Sequence, residues 1–278
     1  MSDVTLTHGV RSNLLQLQRN AALRQAVNQS LGTGKKVNSA ADNPQDYVTA
    51  QALTDRVSTL FDQKSAINQA LSSTQVAQTG LGAVQSLTKQ LQGLAQSVQG
   101  GTADQRQAAA QQFDQIRRQI SSIASDASYG GVKLIADPAN NQTVTVGDTS
   151  GAQVTIQGQA TSPASLGIGT AATDYNGFAT NADINQAVSD LTRATGTLRS
   201  AQSNLGSTTA TLTTRATFNQ NLSNTLQSSA DQLTGANLNE QAAKAVALRL
   251  QDRFSAAGLQ SSVRTQSLVV DLLKTGNG

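Results

Sequence analysis

The longest regular pattern in the chain lies at residues 184–233, which read INQAVSDLTRATGTLRSAQSNLGSTTATLTTRATFNQNLSNTLQSSADQL. Steps of alternately four and three residues through this stretch select a single stripe, and most members of the stripe are apolar. The members are Ile184, Val188, Leu191, Thr195, Leu198, Gln202, Leu205, Thr209, Leu212, Ala216, Asn219, Ser223, Leu226, Ala230 and Leu233. Unbroken heptad spacing without a proline predicts one long helix, roughly 75 Å in length, with a narrow apolar seam.

A helix of that length needs a partner along its whole seam, and residues 53–98 supply a candidate. The same four-three spacing selects Leu53, Val57, Leu60, Lys64, Ile67, Leu71, Thr74, Gln78 and Leu81, after which the stripe shifts to Val84, Leu87, Leu91, Leu94 and Val98. Gly80, Gly82 and Gly93 interrupt this run, and each lowers helix propensity by about 1 kcal/mol. We therefore expect packing against the partner helix to stabilise this segment.

A third, shorter helix is predicted to begin at about Ala103 and to end before Tyr129-Gly130-Gly131. Its stripe consists of Phe113, Ile116, Ile120, Ile123 and Ala127. Together the three segments predict a mainly α fold, built as a long antiparallel coiled-coil helix bundle.

The sequence changes character at Val132. Residues 143–146 and 153–156 are rich in valine and threonine and are separated by a glycine-containing turn, a pattern that predicts a β-hairpin. Residues 157–180 are rich in Gly, Ser, Thr and Ala, so we interpret the region from 143 to 180 as outward-facing and dispensable. On that interpretation, a small insertion near Asp174 should be tolerated.

The two ends of the chain mirror each other, because each carries an amphipathic helical pattern joined to the bundle through a breaker. The N-terminal stripe contains Val10, Leu14, Leu17 and Ala21, followed by a second stripe of Leu23, Val27 and Leu31. The C-terminal pattern contains Leu238, Ala242, Ala245 and Leu248, and then Leu259, Val263, Gln266, Val270 and Leu273. These helices either fold back on the bundle or associate with other copies of the chain. Identical head-to-tail contacts that do not close into a ring produce a helical filament.

We take the second alternative as the hypothesis for the ends. The candidate polymerisation core is then Val10, Leu14, Leu17, Leu259, Val263, Val270 and Leu273. Because segments this polar are only marginally helical alone in water, both ends are expected to be disordered in the monomer and to fold on assembly. The corresponding division of the chain is 1–44, 45–131, 132–180, 181–235 and 236–278.

Composition excludes several classes of site. The chain has 278 residues, no cysteine and a single histidine, His8, so disulfides, thiolate metal sites and histidine-based metal centres are not expected. We find no catalytic constellation and no cofactor-binding motif. Basic residues are scattered along a chain of net charge +3, which gives no support for nucleic-acid binding. Neither a membrane-inserting apolar run nor a cleavable secretory signal is recognisable.

Several ordered motifs resemble bacterial flagellin. Residues 31–44, LGTGKKVNSAADNP, are similar to the family's Leu-Ser-Ser-Gly-Lys-Arg-Ile-Asn-Ser-Ala-Ala-Asp-Asp-Pro. Residues 120–124 and 129–134 resemble the family's Ile-Asp-Arg-Ile-Ala and Phe-Asn-Gly-x-x-Leu. The hairpin with residues 165–168, and the start of the last helix at residues 238–243, follow the family pattern as well.

The resemblance implies a filament subunit that is exported unfolded through the flagellar type III apparatus without a cleaved signal peptide and is located outside the cell. It implies a core of terminal helices with the bundle of residues 45–235 around it, and a slim filament because residues 157–180 leave no room for large outer domains. The implied partners are other flagellin subunits, an export chaperone, the filament cap and the hook-junction proteins. The alternatives are a hook–filament junction protein and a secreted coiled-coil effector or adhesin.

Overall fold

The computed structural model of the chain describes residues 8–147 and 151–275, and this part of the chain is mainly helical, as predicted. The helices are α1 (His8–Thr33), α2 (Pro44–Ser97), α3 (Ala103–Asp126), α4 (Asn181–Thr234) and α5 (Leu238–Thr275). Two strands, β1 (Gln142–Thr145) and β2 (Gln153–Ile156), and a short 3₁₀ helix at Asn176–Phe178 lie between α3 and α4.

The long helices begin where the sequence supplies a capping group. The Asn43 side chain accepts a hydrogen bond from the Asp46 backbone N–H (3.2 Å) and donates one to the Asp46 carboxylate (2.7 Å). Pro44 then occupies the first helical position, where a missing N–H costs nothing. The Thr180 hydroxyl accepts from the backbone N–H of Asp183 in the same way, at 3.3 Å, at the start of α4. Both caps reduce the number of unpaired backbone N–H groups at the starts of α2 and α4, which are 54 residues long each.

The backbone divides into two compact units, one formed by residues 1–56 with 225–278 and the other by residues 57–224. We refer to them as the terminal unit and the bundle unit. The helices α2 and α4 continue through both, and each unit is described separately below.

In the bundle unit, α2 and α4 pack along the heptad stripes read from the sequence. Every stripe position of the two helices within this unit is buried or half-buried, and Ile67, Leu81, Leu198 and Leu212 are fully buried. The Lys64 ammonium donates to the Gln220 side chain, and Gln78 donates to the Thr209 hydroxyl at 3.2 Å. Since rising numbers on α2 meet falling numbers on α4, the pair is antiparallel, as predicted.

The hairpin between the long helices is also confirmed. Strands β1 and β2 pair antiparallel with Gln142 opposite Ile156 and Thr145 opposite Gln153. The Asn219 amide, 2% exposed, donates to the Gln63 side chain and to the Val146 carbonyl. This contact fixes the hairpin on the surface formed by α2 and α4.

Residues 157–180 do not form the outward-facing loop expected from the sequence, and their dispensability for assembly stays a prediction. Leu166, Ile168, Ala171 and the aromatic residues Tyr175 and Phe178 are buried in this segment. The rings of Tyr175 and Phe178 pack edge-on against Phe113 of α3, with centroids 5.9 and 5.4 Å away. The segment covers the part of the bundle core that surrounds Phe113, so it belongs to the fold.

Polar contacts hold the same segment in place. The Asp114 carboxylate accepts from the backbone N–H of Ala171 (2.8 Å), and the Arg117 guanidinium donates to the Ile168 carbonyl (3.0 Å). Asp174 accepts from the Thr170 N–H at 2.6 Å and lies so close to Gly169 that a Cβ there would approach it at 2.7 Å. An insertion at Asp174 would interrupt this turn, and its effect on filament assembly stays a prediction.

Candidate functional site

The two terminal helices lie antiparallel against each other in the terminal unit. The Arg24 guanidinium pairs with the Asp252 carboxylate at 2.6 Å, and Val27 packs in one cluster with Ala245 and Leu248. The order of these contacts, early residues of α5 against late residues of α1, follows from the tight turn that joins α4 to α5.

The connection between α1 and α2 ties the ends of the terminal unit together. Asp42 accepts hydrogen bonds from the backbone N–H groups of Asn38 and Ser39, both at 2.9 Å. These two backbone bonds hold the pKa of the Asp42 carboxyl below its ordinary value. The Lys36 N–H donates to the Thr234 carbonyl at 2.7 Å, so this segment is anchored on the last turn of α4.

The seam between α1 and α5 is more polar than the seam of the bundle. Asn20 is 3% exposed in the middle of α1, and its amide nitrogen has no hydrogen-bond partner among the described residues. Arg24 follows one turn later and reaches Asp252. A buried amide at a seam position lowers the stability of a helix pair while favouring one register. The intrachain pair is therefore specific but weakly stabilised.

The predicted polymerisation residues differ in how far this pair buries them. Val10 is buried in the α1/α5 seam, and Leu17 and Leu259 are half-buried. Leu14 and Val263 point outward, with 42% and 51% of their surfaces exposed. The side chains of Val270 and Leu273 lie outside the described residues. The role of these seven residues in polymerisation therefore stays a prediction.

Most of the large apolar side chains that the described structure exposes lie on the two terminal helices. They are Leu14, Leu15, Leu23, Leu238, Val246, Leu250, Phe254, Val263 and Leu268. We call this set the outer apolar row. The set is not one continuous patch, because Leu14 and Leu23 lie nine residues, about 180°, apart around α1. Val246, Leu250 and Phe254 do share one face of α5, and clustered exposed apolar side chains mark surfaces that contact other molecules.

Sequence reasoning missed three members of the outer apolar row on α5, namely Val246, Leu250 and Phe254. Val246, Leu250 and Phe254 recur at intervals of four residues, a spacing that places them on one helix face. The sequence therefore contains this signal, although the heptad stripe through Ala245 and Leu248 does not include it. Phe254 is the most exposed member of the row, at 67%.

The described residues contain no group of three or more His, Cys, Asp or Glu side chains placed to hold a metal ion. In the part of the chain that the structure covers, no helix combines the length and the hydropathy needed to cross a membrane. The outer apolar row is thus the surface feature that best characterises this chain.

Comparisons with known proteins agree with this architecture. The family model described as the bacterial flagellin N-terminal helical region matches residues 9–140. Flagellin FljK of Caulobacter vibrioides is 25% identical over 250 residues, covering 89% of this chain and 90% of the relative. Flagellin FljM of the same organism is 25% identical over 257 residues, covering 92% of each chain. Flagellin FljO, again from Caulobacter vibrioides, is 22% identical over 276 residues and covers 99% of each.

Among solved structures, the crystal structure of Bacillus cereus flagellin matches 55% of this chain and 88% of its own, with a TM-score of 0.46 and 19% identity. The family model covers the first two long helices and the start of the hairpin region, and the three relatives extend the similarity over nearly the whole chain. The same segments carry the motifs that resemble flagellin in the sequence. The chain is thus similar to bacterial flagellins over nearly its whole length.

Proposed function

We infer that the chain is a structural subunit that polymerises with other flagellin subunits into the bacterial flagellar filament and so serves swimming motility. Similarity to flagellins supports this function. One structural observation assigns the function to particular residues. That observation is the outer apolar row, which a single copy leaves exposed to water on both terminal helices. Burying one such side chain in a neighbouring copy contributes about 1.5–3 kcal/mol, so a repeated row can drive polymerisation.

In the proposed division of the chain, residues 1–44 and 236–278 form the inner core of the filament. Residues 45–131 and 181–235 form the outer helical bundle, and residues 132–180 form the hairpin region attached to it. Within the inner core, Val10, Leu17 and Leu259 stabilise the α1/α5 pair, and Leu14 and Val263 face neighbouring copies. Val270 and Leu273 remain candidates from the sequence.

The remaining features of the proposal follow from the similarity to flagellins. The subunit acts outside the cell after export without a cleaved signal peptide, and it has no catalytic role. Its further partners are a flagellar export chaperone, the filament cap and the hook-junction proteins. Labelled subunits distributed along the whole filament, and not confined to its base, would separate this function from that of a junction protein.

The test is the substitution Phe254→Asp in the full chain, with Phe254→Leu as the matched control. An exposed carboxylate is harmless in the monomer but would be buried without a partner in the filament. We expect Phe254→Asp to retain the helical circular dichroism of the wild type and to form no filaments after seeding. Phe254→Leu should assemble, as judged by sedimentation and negative-stain microscopy. Wild-type chains that form no filaments, or a Phe254→Asp variant that assembles normally, would contradict the proposal.

A further inference from the structure

Phe61 is an exposed aromatic residue on α2 of the bundle unit. The chain has only five phenylalanines, and two of them, Phe113 and Phe178, are fully buried. Phe61 is 59% exposed on α2, and the Lys64 ammonium lies 6.0 Å from the centroid of its ring. Aromatic side chains with a neighbouring cation are enriched among the anchors of protein interfaces.

A cleft of about 460 Å³ lies at the same level of the bundle, between α2 and strand β1. Its lining consists of Asp62, Gln63, Ala66, Gln69, Gln142, Thr143, Val144 and Thr145. Val144 is only 5% exposed because it packs in the core of the bundle unit, so the exposed apolar contribution to the cleft comes from Ala66. The Gln142 side-chain oxygen is shielded from solvent and lacks a hydrogen-bond partner within the described part of the chain.

The helix geometry separates the two features within one copy. Ala66, which lines the cleft, follows Phe61 by five residues, so their side chains point about 140° apart around α2 and about 7.5 Å apart along it. Phe61 therefore cannot fill the cleft of its own chain. Copies that lie side by side in the same direction bring Phe61 of one copy to the level of the next copy's cleft.

We propose that Phe61 of one subunit docks in the α2/β1 cleft of a second copy of this chain, as a lateral contact between neighbouring bundles. The inference rests on the proposed function as a filament subunit. Charge complementarity supports the choice of occupant, since the half-buried Lys64 ammonium, which also donates to Gln220 of its own chain, lies beside the ring and the cleft carries the exposed Asp62 carboxylate. The contact joins two different surfaces, so it extends from copy to copy without closing, as a filament requires.

Disulfide trapping tests the contact directly, because the chain has no cysteine of its own. Filaments of the double variant Phe61→Cys/Ala66→Cys are oxidised mildly with copper phenanthroline and separated by non-reducing electrophoresis. Positions five apart on one helix face different ways and are not expected to pair within a chain. We expect a ladder of dimers, trimers and longer species. The matched control is Phe218→Cys/Ala66→Cys, which uses a phenylalanine of similar exposure, 54%, and should give no ladder.

Intact filaments without the ladder, a reaction that stops at dimers, or an equal ladder in the control would overturn the inference. If the double variant does not polymerise, the substitution Phe61→Ser gives an independent reading. We expect it to raise the critical concentration for assembly about tenfold, with unchanged monomer helicity. Phe218→Ser should stay within about twofold of the wild type. A Phe61→Ser variant that assembles at the wild-type concentration also overturns the inference. Wild-type chains that form no filaments would refute the proposed function itself.

Discussion

Gly80 lies in the middle of α2, and replacing it with alanine should destabilise the bundle unit although alanine is the better helix former. A Cβ at this position would lie 2.6 Å from the Ile135 δ-methyl group and 3.0 Å from the Ala127 Cβ. Ile135 is fully buried and Ala127 has no rotamer to change, so neither neighbour can yield freely. The glycine therefore allows the segment after α3 to pack directly on α2.

The magnitude follows from two opposing effects. Gly→Ala inside a helix stabilises by about 0.5–1 kcal/mol, and inserting a methyl group into a packed core costs about 1–3 kcal/mol. We expect Gly80→Ala to lower the free energy of unfolding by about 1 kcal/mol, which lowers the melting temperature by about 2–4 °C. Gly82→Ala is the matched control, because no atom lies within 4 Å of a Cβ there. It should stabilise by about 0.5–1 kcal/mol.

The assay is thermal and urea unfolding of the full chain, followed by circular dichroism at 222 nm. Adding Ile135→Val to Gly80→Ala removes the methyl group that collides, so the double variant should recover part of the loss. If Gly80→Ala is stabilised as much as Gly82→Ala, or if Ile135→Val gives no recovery, the packing argument is refuted.

Three further predictions concern titration and assembly. The Tyr175 hydroxyl accepts from the Gly169 N–H (2.8 Å) and donates to Asp190 (3.1 Å), and burial raises its pKa to about 12 from 10.0. The contribution of this hydroxyl to the free energy of unfolding is thus fully present below pH 10 and is lost as the pH approaches 12. Tyr175→Phe should therefore destabilise the fold by about 1–3 kcal/mol at pH 8, and its melting temperature should vary less with pH in the alkaline range. The lowered pKa of Asp42 stabilises the fold above the ordinary value of 3.8. The difference in melting temperature between Asp42→Asn and the wild type should therefore be fully present at pH 7 and shrink only as the pH falls below 3.8. Circular dichroism should show more helix per chain in the filament than in dilute monomer, and equal helix content would refute folding on assembly.

The long helices could be predicted from the sequence because heptad periodicity is a local signal. The stripe through Leu198 and Leu212 marks the buried face directly, whatever the partner is. The predicted start at Ile184 lies three residues after the observed start of α4, since the Thr180 cap lies outside the apolar pattern. The hairpin was predicted for a similar reason, because the alternation of valine and threonine is also local.

The packing of residues 157–180 could not be predicted in this way. Gly, Ser, Thr and Ala without a period are typical of a loop, and the composition conceals a few decisive contacts. Tyr175 and Phe178 reach Phe113, which lies more than sixty positions earlier in the sequence. Contacts between residues so far apart in the sequence produce no regular spacing of apolar residues. The composition of residues 157–180 therefore predicts an exposed loop, although the segment packs on the bundle.

The terminal helices show a third case, in which the sequence pattern does not tell how far each of its members is buried. The α1 seam includes Asn20 and Arg24, and a search for apolar residues passes over both. Leu14 follows Val10 on nearly the same side of α1, about 40° further round, yet it is 42% exposed while Val10 is buried. The polar seam contains little apolar burial for helices of 26 and 38 residues, and isolated helices depend on packing for their stability. Since the outer apolar row, with Leu250 and Phe254, faces away from this seam, we expect neighbouring copies to supply the packing that the intrachain pair lacks. Polymerisation and the full ordering of the two ends would then be driven by the same buried surface.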